Sequence, residues 1–365
     1  SWETVSTKGG DFVRLGLPDE GYTTEIGKPR IPVVRRFIEV PHGAGFQARV
    51  LAERSRTIHL EDVGLTMPLF PVQPPIPKVE GAHERMEFEF DRDFYQRDLL
   101  YPDQLVEVKE AGEVRGHRLL LVELYPISYN PKSGELRVLS QVQVRVELAR
   151  SDMRLTLDRL RRYRSPLFDR LCKGLILNYG WLEGLTDSPP PLPIGYLVIT
   201  HDNFFSEVQP LADWKQRKGF HVTVARTSET GSTSAEIKAY IEDAYNNWPI
   251  PPQFVLLVGD VAEIPCWPGI GDRVCDLYYV TITPGDYFPD IWIGRLPAQT
   301  AAQATVMVTK TVDFERVDWS SGTLWAEMAY FMASADGGFH GVAEGTHQYC
   351  MAICRSYGMT CDSLW

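Results

Sequence analysis

The sequence predicts a two-domain chain: a β-rich amino-terminal module, a sandwich or partly open barrel, over residues 1–148, and an α/β domain with a parallel sheet over residues 195–365. Residues 149–194 read as a basic and then Pro-rich linker between them. Three observations carry this. The run Gln141-Val-Gln-Val-Arg-Val-Glu-Leu148 alternates polar with apolar, the period-two pattern of a half-buried strand. After Gly195 the pattern changes to short, continuous apolar runs separated by amphipathic stretches, as in a parallel sheet covered on both faces. A chain of 365 residues that is 44% hydrophobic and 23% charged has material for more than one core.

In the first half, Val33–Val40 and Arg118–Leu124 are further strand-like runs. Turns are expected at Gly27-Lys-Pro29, Pro74-Pro75 and Asn130-Pro-Lys-Ser-Gly134, the last joining two strands as a hairpin with a longer loop. Between Arg150 and Lys173 eight basic residues stand against three acids, and Asp187-Ser-Pro-Pro-Pro-Leu-Pro193 follows. The basic run reads either as a solvated helix face or as an exposed connector. In the second reading Arg150, Arg154, Arg162, Arg164 and Lys173 are candidate maturation sites for a trypsin-like protease. Beyond it, Tyr196–Thr200, His221–Ala225 and Phe254–Val258 are strands; Phe204–Lys218 is a helix stopped by Gly219, and Ser234–Asn247 a helix capped by Ser234 with Glu236 in its first turn. Residues 261–297 read as irregular. A helix over 300–317, a fourth strand at Ala329–Ser334 and a last helix near 344–356 complete the pattern.

Composition narrows the function. The net charge of −11 argues against a nucleic-acid partner and leaves acid in excess that can hold cations. No apolar run approaches the roughly 18 residues that span a bilayer, so no membrane span is expected. Ser1 does not open a signal peptide, and an export signal is expected to have been removed already. Six cysteines without a CxxC pair are too few for a disulfide scaffold of this length. GxGxxG after the first strand, a Walker loop, GxSxG and HExxH are all absent, so nucleotide and serine-hydrolase readings have no support, and no organic cofactor is expected.

Acidic residues remain at the strand ends, where parallel α/β sheets place their sites: Asp260 after Phe254–Val258 and Asp336 after Ala329–Ser334. Each reads equally as a turn or capping residue. In Gly285-Asp-Tyr-Phe-Pro-Asp290 two carboxylates lie four residues apart in a Pro-stiffened loop. With calcium's demand for six to eight hard oxygens, Asp286, the Phe288 carbonyl, Asp290 and a distant Asp260 form a candidate calcium cage, the alternative being a solvated acidic turn. Cys350, Cys354, Cys361 and His347 invite zinc, against a plain reading as one buried helix face. His340-Gly341 reads as part of the loop beyond Asp336.

Taken together, Phe254-Val-Leu-Leu-Val-Gly-Asp260, Asp276-Leu-Tyr-Tyr279, Gly285–Asp290, Ile293-Gly-Arg295 and Ser334-Ala-Asp-Gly-Gly338 resemble the gingipain family of cysteine peptidases, closer to its lysine-specific branch. Ile26-Gly-Lys-Pro-Arg-Ile-Pro32 and Val122–Pro126 with Tyr129-Asn-Pro131 resemble the family's pro-domain. The resemblance implies a caspase-like α/β domain, here incomplete. It puts the acid that orients the catalytic histidine on Asp336 and structural calcium ligands on Asp260, Asp286, Phe288 and Asp290, with one further family Asp replaced by Thr283-Pro284. Glu344 is the candidate acid of the substrate pocket.

In the family the catalytic His and Cys follow the next two strands, so both are expected on polypeptide beyond Trp365, as a following segment or a second chain. The expected function is that of the amino-terminal part of a secreted or cell-surface cysteine endopeptidase acting on proteins and peptides, in zymogen or nicked two-chain form. The alternatives are an inactive relative that binds proteins at a cell surface and a metal-dependent hydrolase built on Asp260 and Asp336. The amino-terminal module is expected either to block the cleft with a Lys or Arg or only to assist folding.

Overall fold

The computed structural model describes residues 1–76, 85–182, 193–269, 274–317, 320, 322, 324–333 and 340–365. Its amino-terminal half is antiparallel. β1 (Trp2–Thr7) and β2 (Gly10–Leu15) form a hairpin. β3 (Gly21–Tyr22), β4 (Pro32–Glu39), β6 (Val106–Val114) and β7 (His117–Leu124) form a sheet in the order β3-β4-β7-β6. β5 (Gly45–His59), β8 (Ile127–Asn130) and β9 (Glu135–Ala149) form another in the order β5-β9-β8. The alternating run at Gln141–Leu148 lies in β9, paired with β5 from Gly45↔Ala149 to His59↔Glu135. In the loop between β8 and β9 the Asn130 side chain accepts from the Lys132 and Ser133 amides, and Gly134 takes a φ of 70°. The core beneath includes Val13, Ile31, Leu69, Phe94, Tyr95, Tyr129 and Leu136, and the buried Tyr95 hydroxyl donates to the Leu69 carbonyl.

Within the stretch read as linker, residues 153–175 fold into helices α1 (Met153–Tyr163) and α2 (Pro166–Leu175). Asp152 caps the first by accepting from the Leu155 amide; Ser165 caps the second, with Pro166 in its first turn. They bury Leu160, Tyr163, Phe168 and Cys172. Residues 187–192 of the Pro-rich run lie outside the described residues.

The carboxy-terminal half carries the parallel sheet. β10 (Gly195–Thr200), β11 (His221–Arg226), β12 (Pro252–Val258) and, beyond the short pair β13 (Trp267–Pro268) and β14 (Val274–Cys275), β15 (Trp292–Leu296) are ordered β11-β10-β12-β15, every neighbour parallel. On one face Leu197, Ile199, Val255 and Leu257 pack against Ile237, Ile241 and Ala244 of α4 (Ser234–Asn247). On the other, Val198 and Val258 meet Val208 of α3 (Phe205–Arg217) and Ala304 of α5 (Ala301–Glu315).

Four further expectations change. The sheet's fourth strand is Trp292–Leu296, inside the stretch read as irregular, where Gly294 and Arg295 break the apolar run. The strand read at Ala329–Ser334 is β16 (Met328–Met332), which pairs in parallel with β17 (Thr360–Leu364), a strand too polar to read that follows the helix α6 (His340–Ser356). His340-Gly341 therefore starts a helix. The cap of α4 is Thr233, whose hydroxyl accepts from the Glu236 amide while the Glu236 carboxylate accepts from the Thr233 amide.

Candidate functional site

Strands β12 and β15 end side by side, and the turn that leaves them is tied together by backbone. Gly259 donates its amide to the Leu296 carbonyl and Asp260 its amide to that of Ala298. The Asp260 carboxylate accepts from the Val261 amide at 2.9 Å and from Gln299 Nε2 at 2.7 Å. The Gln299 bond, then the Val261 amide, hold its carboxyl below the usual range. Asp260 thus acts as a turn residue at the carboxyl end of the sheet.

Arg295 braces this turn from β15. Its Nε and Nη2 donate to the two oxygens of Asp276 at 2.8 Å, and its Nη1 donates to the carbonyls of Gly259 and Ile264, also at 2.8 Å. Burial alone would raise the Asp276 carboxyl, but the bonds and charge of Arg295 outweigh it and the group titrates below its ordinary value. The Cys266 thiol donates to Asp276 at 3.3 Å; burial, then this bond, push it up to about 11. It is protonated at neutral pH and is not a nucleophile. Sequence reasoning missed the Arg295–Asp276 pair. Its signal is an arginine in an apolar strand of a covered sheet, where a guanidinium must find acceptors.

At the opposite end, Asp286 and Asp290 lie in the loop entering β15. Asp290 is fully buried: one oxygen accepts from the Ile282 and Thr283 amides at 3.0 Å, the other from the Arg115 amide at 3.3 Å and the Tyr245 hydroxyl at 3.4 Å. Asp286 accepts from the Phe288 amide at 2.8 Å and the Glu113 amide at 2.9 Å. Burial raises the pKa of both carboxyls. The Phe288 ring meets Phe37 edge-on at 5.7 Å and joins a cluster with Val114, Leu119 and Phe168.

Of the candidate calcium set, Asp286, Phe288 and Asp290 therefore share one loop, while Asp260 sits a strand's length away, roughly 20 Å. Every oxygen of the three carboxylates already accepts a protein donor. Among the described residues no group of three or more His, Cys, Asp or Glu side chains is arranged to hold a metal ion. This arrangement does not fit calcium, which needs its oxygens gathered on one centre. It does not assemble a zinc site either: Cys350, Cys354 and Cys361 are half-buried, the Cys361 thiol facing the Met351 carbonyl at 3.7 Å and the His347 ring facing Phe331 at 5.7 Å.

Asp336 lies outside the described residues. Glu344 is half-buried in the first turns of α6. The basic candidates are scattered: Arg150 is exposed at a φ of 59°, Arg154 is exposed on α1, Arg162 donates to the Tyr245 and Trp248 carbonyls at 3.1 Å, Arg164 is half-buried just after α1, and Lys173 lies 5.8 Å from the Tyr179 ring.

The C25 propeptide family model matches residues 1–180, and that of peptidase family C25 matches residues 189–360. The chain belongs to peptidase family C25. Its propeptide part runs from β1 through α2 and its peptidase part from β10 onward. Lys-gingipain HG66 of Porphyromonas gingivalis is 30% identical over 343 residues, 91% of this chain and 19% of that protein. Gingipain R2 of the same organism is 23% identical over 347 residues, 92% of this chain and 45% of that protein. The C25 chain thus spans less than half the length of either relative. Among solved structures, one of gingipain K from Porphyromonas gingivalis that concerns its zymogenic latency has 29% identity, covers 40% of this chain and 80% of that chain, and gives a TM-score of 0.38. A complex of the pro- and mature domains of Porphyromonas gingivalis RgpB has 17% identity, covers 49% and 87%, and gives 0.39.

Proposed function

We propose that the chain is the amino-terminal part of a secreted or cell-surface cysteine endopeptidase in zymogen or two-chain form, its propeptide part docked, with the catalytic His and Cys supplied by polypeptide following Trp365. The observation that carries this is the state of β16 and β17. Parallel strands occur in sheets covered on both faces, and two strands alone are marginal in water. Here Tyr330 is 64% exposed, and Met332 and Leu364 are each 70% exposed. Full burial of such side chains is worth about 1.5–3 kcal/mol each, so this surface suits completion by further strands.

In that assembly the incoming thiol passes its proton to the incoming imidazole, the thiolate attacks a peptide carbonyl, and Asp336 holds the imidazolium that forms. Two of the described cysteines are poorly suited as rival nucleophiles: Cys266 is protonated at neutral pH and Cys172 is fully buried. Proteins and peptides are the substrates. Among the described residues no helix is long and apolar enough to cross a membrane.

The test is hydrolysis of Lys- and Arg-containing reporter peptides by polypeptide that continues past Trp365, freed of its propeptide part, beside residues 1–365 alone. The longer form is expected to be active and silenced by iodoacetamide, the shorter inactive. Inactivity of both would favour the surface-binding alternative. Activity that survives iodoacetamide but not chelation would favour the metal-dependent one.

A further inference from the structure

The tight turn between β6 and β7 belongs to the propeptide part but is buried in the peptidase part. Arg115, at its tip, has a φ of 50°, in the left-handed region, and is 2% exposed. Its Nη1 donates to the carbonyls of Pro252 and Asp290 at 3.2 Å and its Nε to that of Tyr163 at 2.9 Å. The guanidinium also lies over the rings of Phe168 and Tyr245, 5.4 and 5.2 Å from their centres. A guanidinium this deep is unfavourable unless its donors meet acceptors and its faces meet rings; here both are provided.

Pro252 opens β12 and Asp290 precedes β15, so the arginine ends at the amino-terminal base of the sheet. The rest of the turn is shaped for the same place. The Arg115 and Glu113 amides donate to Asp290 and Asp286. At Gly112, where φ is 133°, a Cβ would fall 2.4 Å from the Asp286 Cβ. Around this contact Tyr163 stacks on Tyr245 at 4.4 Å and Phe168 packs on Trp292 at 4.9 Å.

We infer that the Gly112–His117 turn is a plug whose socket is the acidic loop 281–290 with the amino-terminal edge of β12, so that Arg115 holds the propeptide part at the base of the peptidase sheet and Asp286 and Asp290 serve as docking groups, not cation ligands, while it is held. The inference rests on the family reading only for the names of the two parts; the contact is within the chain. The grip lies roughly a strand's length, about 20 Å, from Asp260 and the carboxyl-end loops. Holding the propeptide part is therefore separate from filling a cleft at that end.

Hydrogen exchange on residues 1–365 tests this without using catalysis, so its failure is distinct from failure of the peptidase reading. In Arg115→Ala, exchange in segments 112–117 and 281–290 should rise together by roughly ten- to a hundredfold, the loss of bonds made by a charged donor, while β10 and β11 stay protected. Arg115→Lys, which keeps the charge but not the fork, should give a smaller rise in the same two segments. Wild-type exchange should not respond to millimolar calcium. If Arg115→Ala does not fold, Asp286→Ala, at a half-exposed residue, should open segment 112–117 by itself. Exchange in 281–290 that is unmoved by Arg115→Ala and Arg115→Lys, exchange in 112–117 that is unmoved by Asp286→Ala, or calcium protection of 281–290 in the wild type would overturn the inference.

Discussion

Replacing Arg295 with methionine removes both bonds to Asp276 and leaves the carbonyls of Gly259 and Ile264 without their donor. Asp276 is then a carboxylate without a counter-charge, left with only the Cys266 thiol as donor, and its side chain is only 24% exposed. Removing one member of a buried pair destabilises by about 3–5 kcal/mol, because the other charge is left without compensation. Methionine fills much of the aliphatic stem, so the loss is electrostatic more than a cavity effect. At roughly 2–4 °C per kcal/mol for a unit of this size, the peptidase part should melt about 6–20 °C lower. Circular dichroism with tryptophan fluorescence reads the transition. Asp276→Asn alone and combined with Arg295→Met completes a double-mutant cycle, and the double variant should lose less than the sum of the single losses by about 1–3 kcal/mol. A melting shift under about 1 °C for Arg295→Met, against the loss of about 3–5 kcal/mol expected for a broken buried pair, or an additive cycle would refute the reasoning.

At the far side of the sheet Glu315 accepts from Lys215 at 2.5 Å, Lys218 at 2.8 Å and the Trp214 ring at 3.0 Å. Burial raises its carboxyl but these bonds outweigh it, so the folded pKa lies below 4.5. Its stabilisation is therefore present above the unfolded value and lost as pH falls through the folded one. Wild type and Glu315→Gln should differ in melting point at pH 7 and converge under acid. With a thiol near 11, Cys266 should alkylate at pH 8 roughly 200-fold more slowly than a free cysteine, read by mass spectrometry. Tyr330→Ser with Met332→Ser should reduce self-association of residues 1–365 in sedimentation, yet lower the melting point when the following polypeptide is present.

Strands β10, β11 and β12 could be read from sequence because both faces of their sheet are covered and their apolar runs are barely interrupted; Leu197, Val198 and Ile199 are all buried. β15 could not, because Arg295 pairs with a carboxylate 19 residues earlier that no local pattern announces. β17 is hidden for a different reason: Asp362 and Ser363 put a polar residue on each of its faces, and its apolar Leu364 is 70% exposed. The basic stretch announced a charged helix face as one of its two readings, but not the caps at Asp152 and Ser165 or the burial of Tyr163 and Phe168. Around the acidic loop, the positions of Asp286 and Asp290 were legible and their partners were not. Besides the nearby amides of Ile282, Thr283 and Phe288, the two carboxylates accept from the amides of Glu113 and Arg115, 173 and 175 residues away in sequence. A carboxylate pair in a turn looks the same on paper whether it awaits a cation or a backbone.

The most direct measurement is to inactivate the processed, longer polypeptide with iodoacetamide and map the modified cysteine by peptide mass spectrometry. The account predicts one label that tracks loss of activity, on a cysteine beyond Trp365, with Cys266 unmodified. A label that tracks inactivation on Cys172, Cys266, Cys275, Cys350, Cys354 or Cys361 would contradict it.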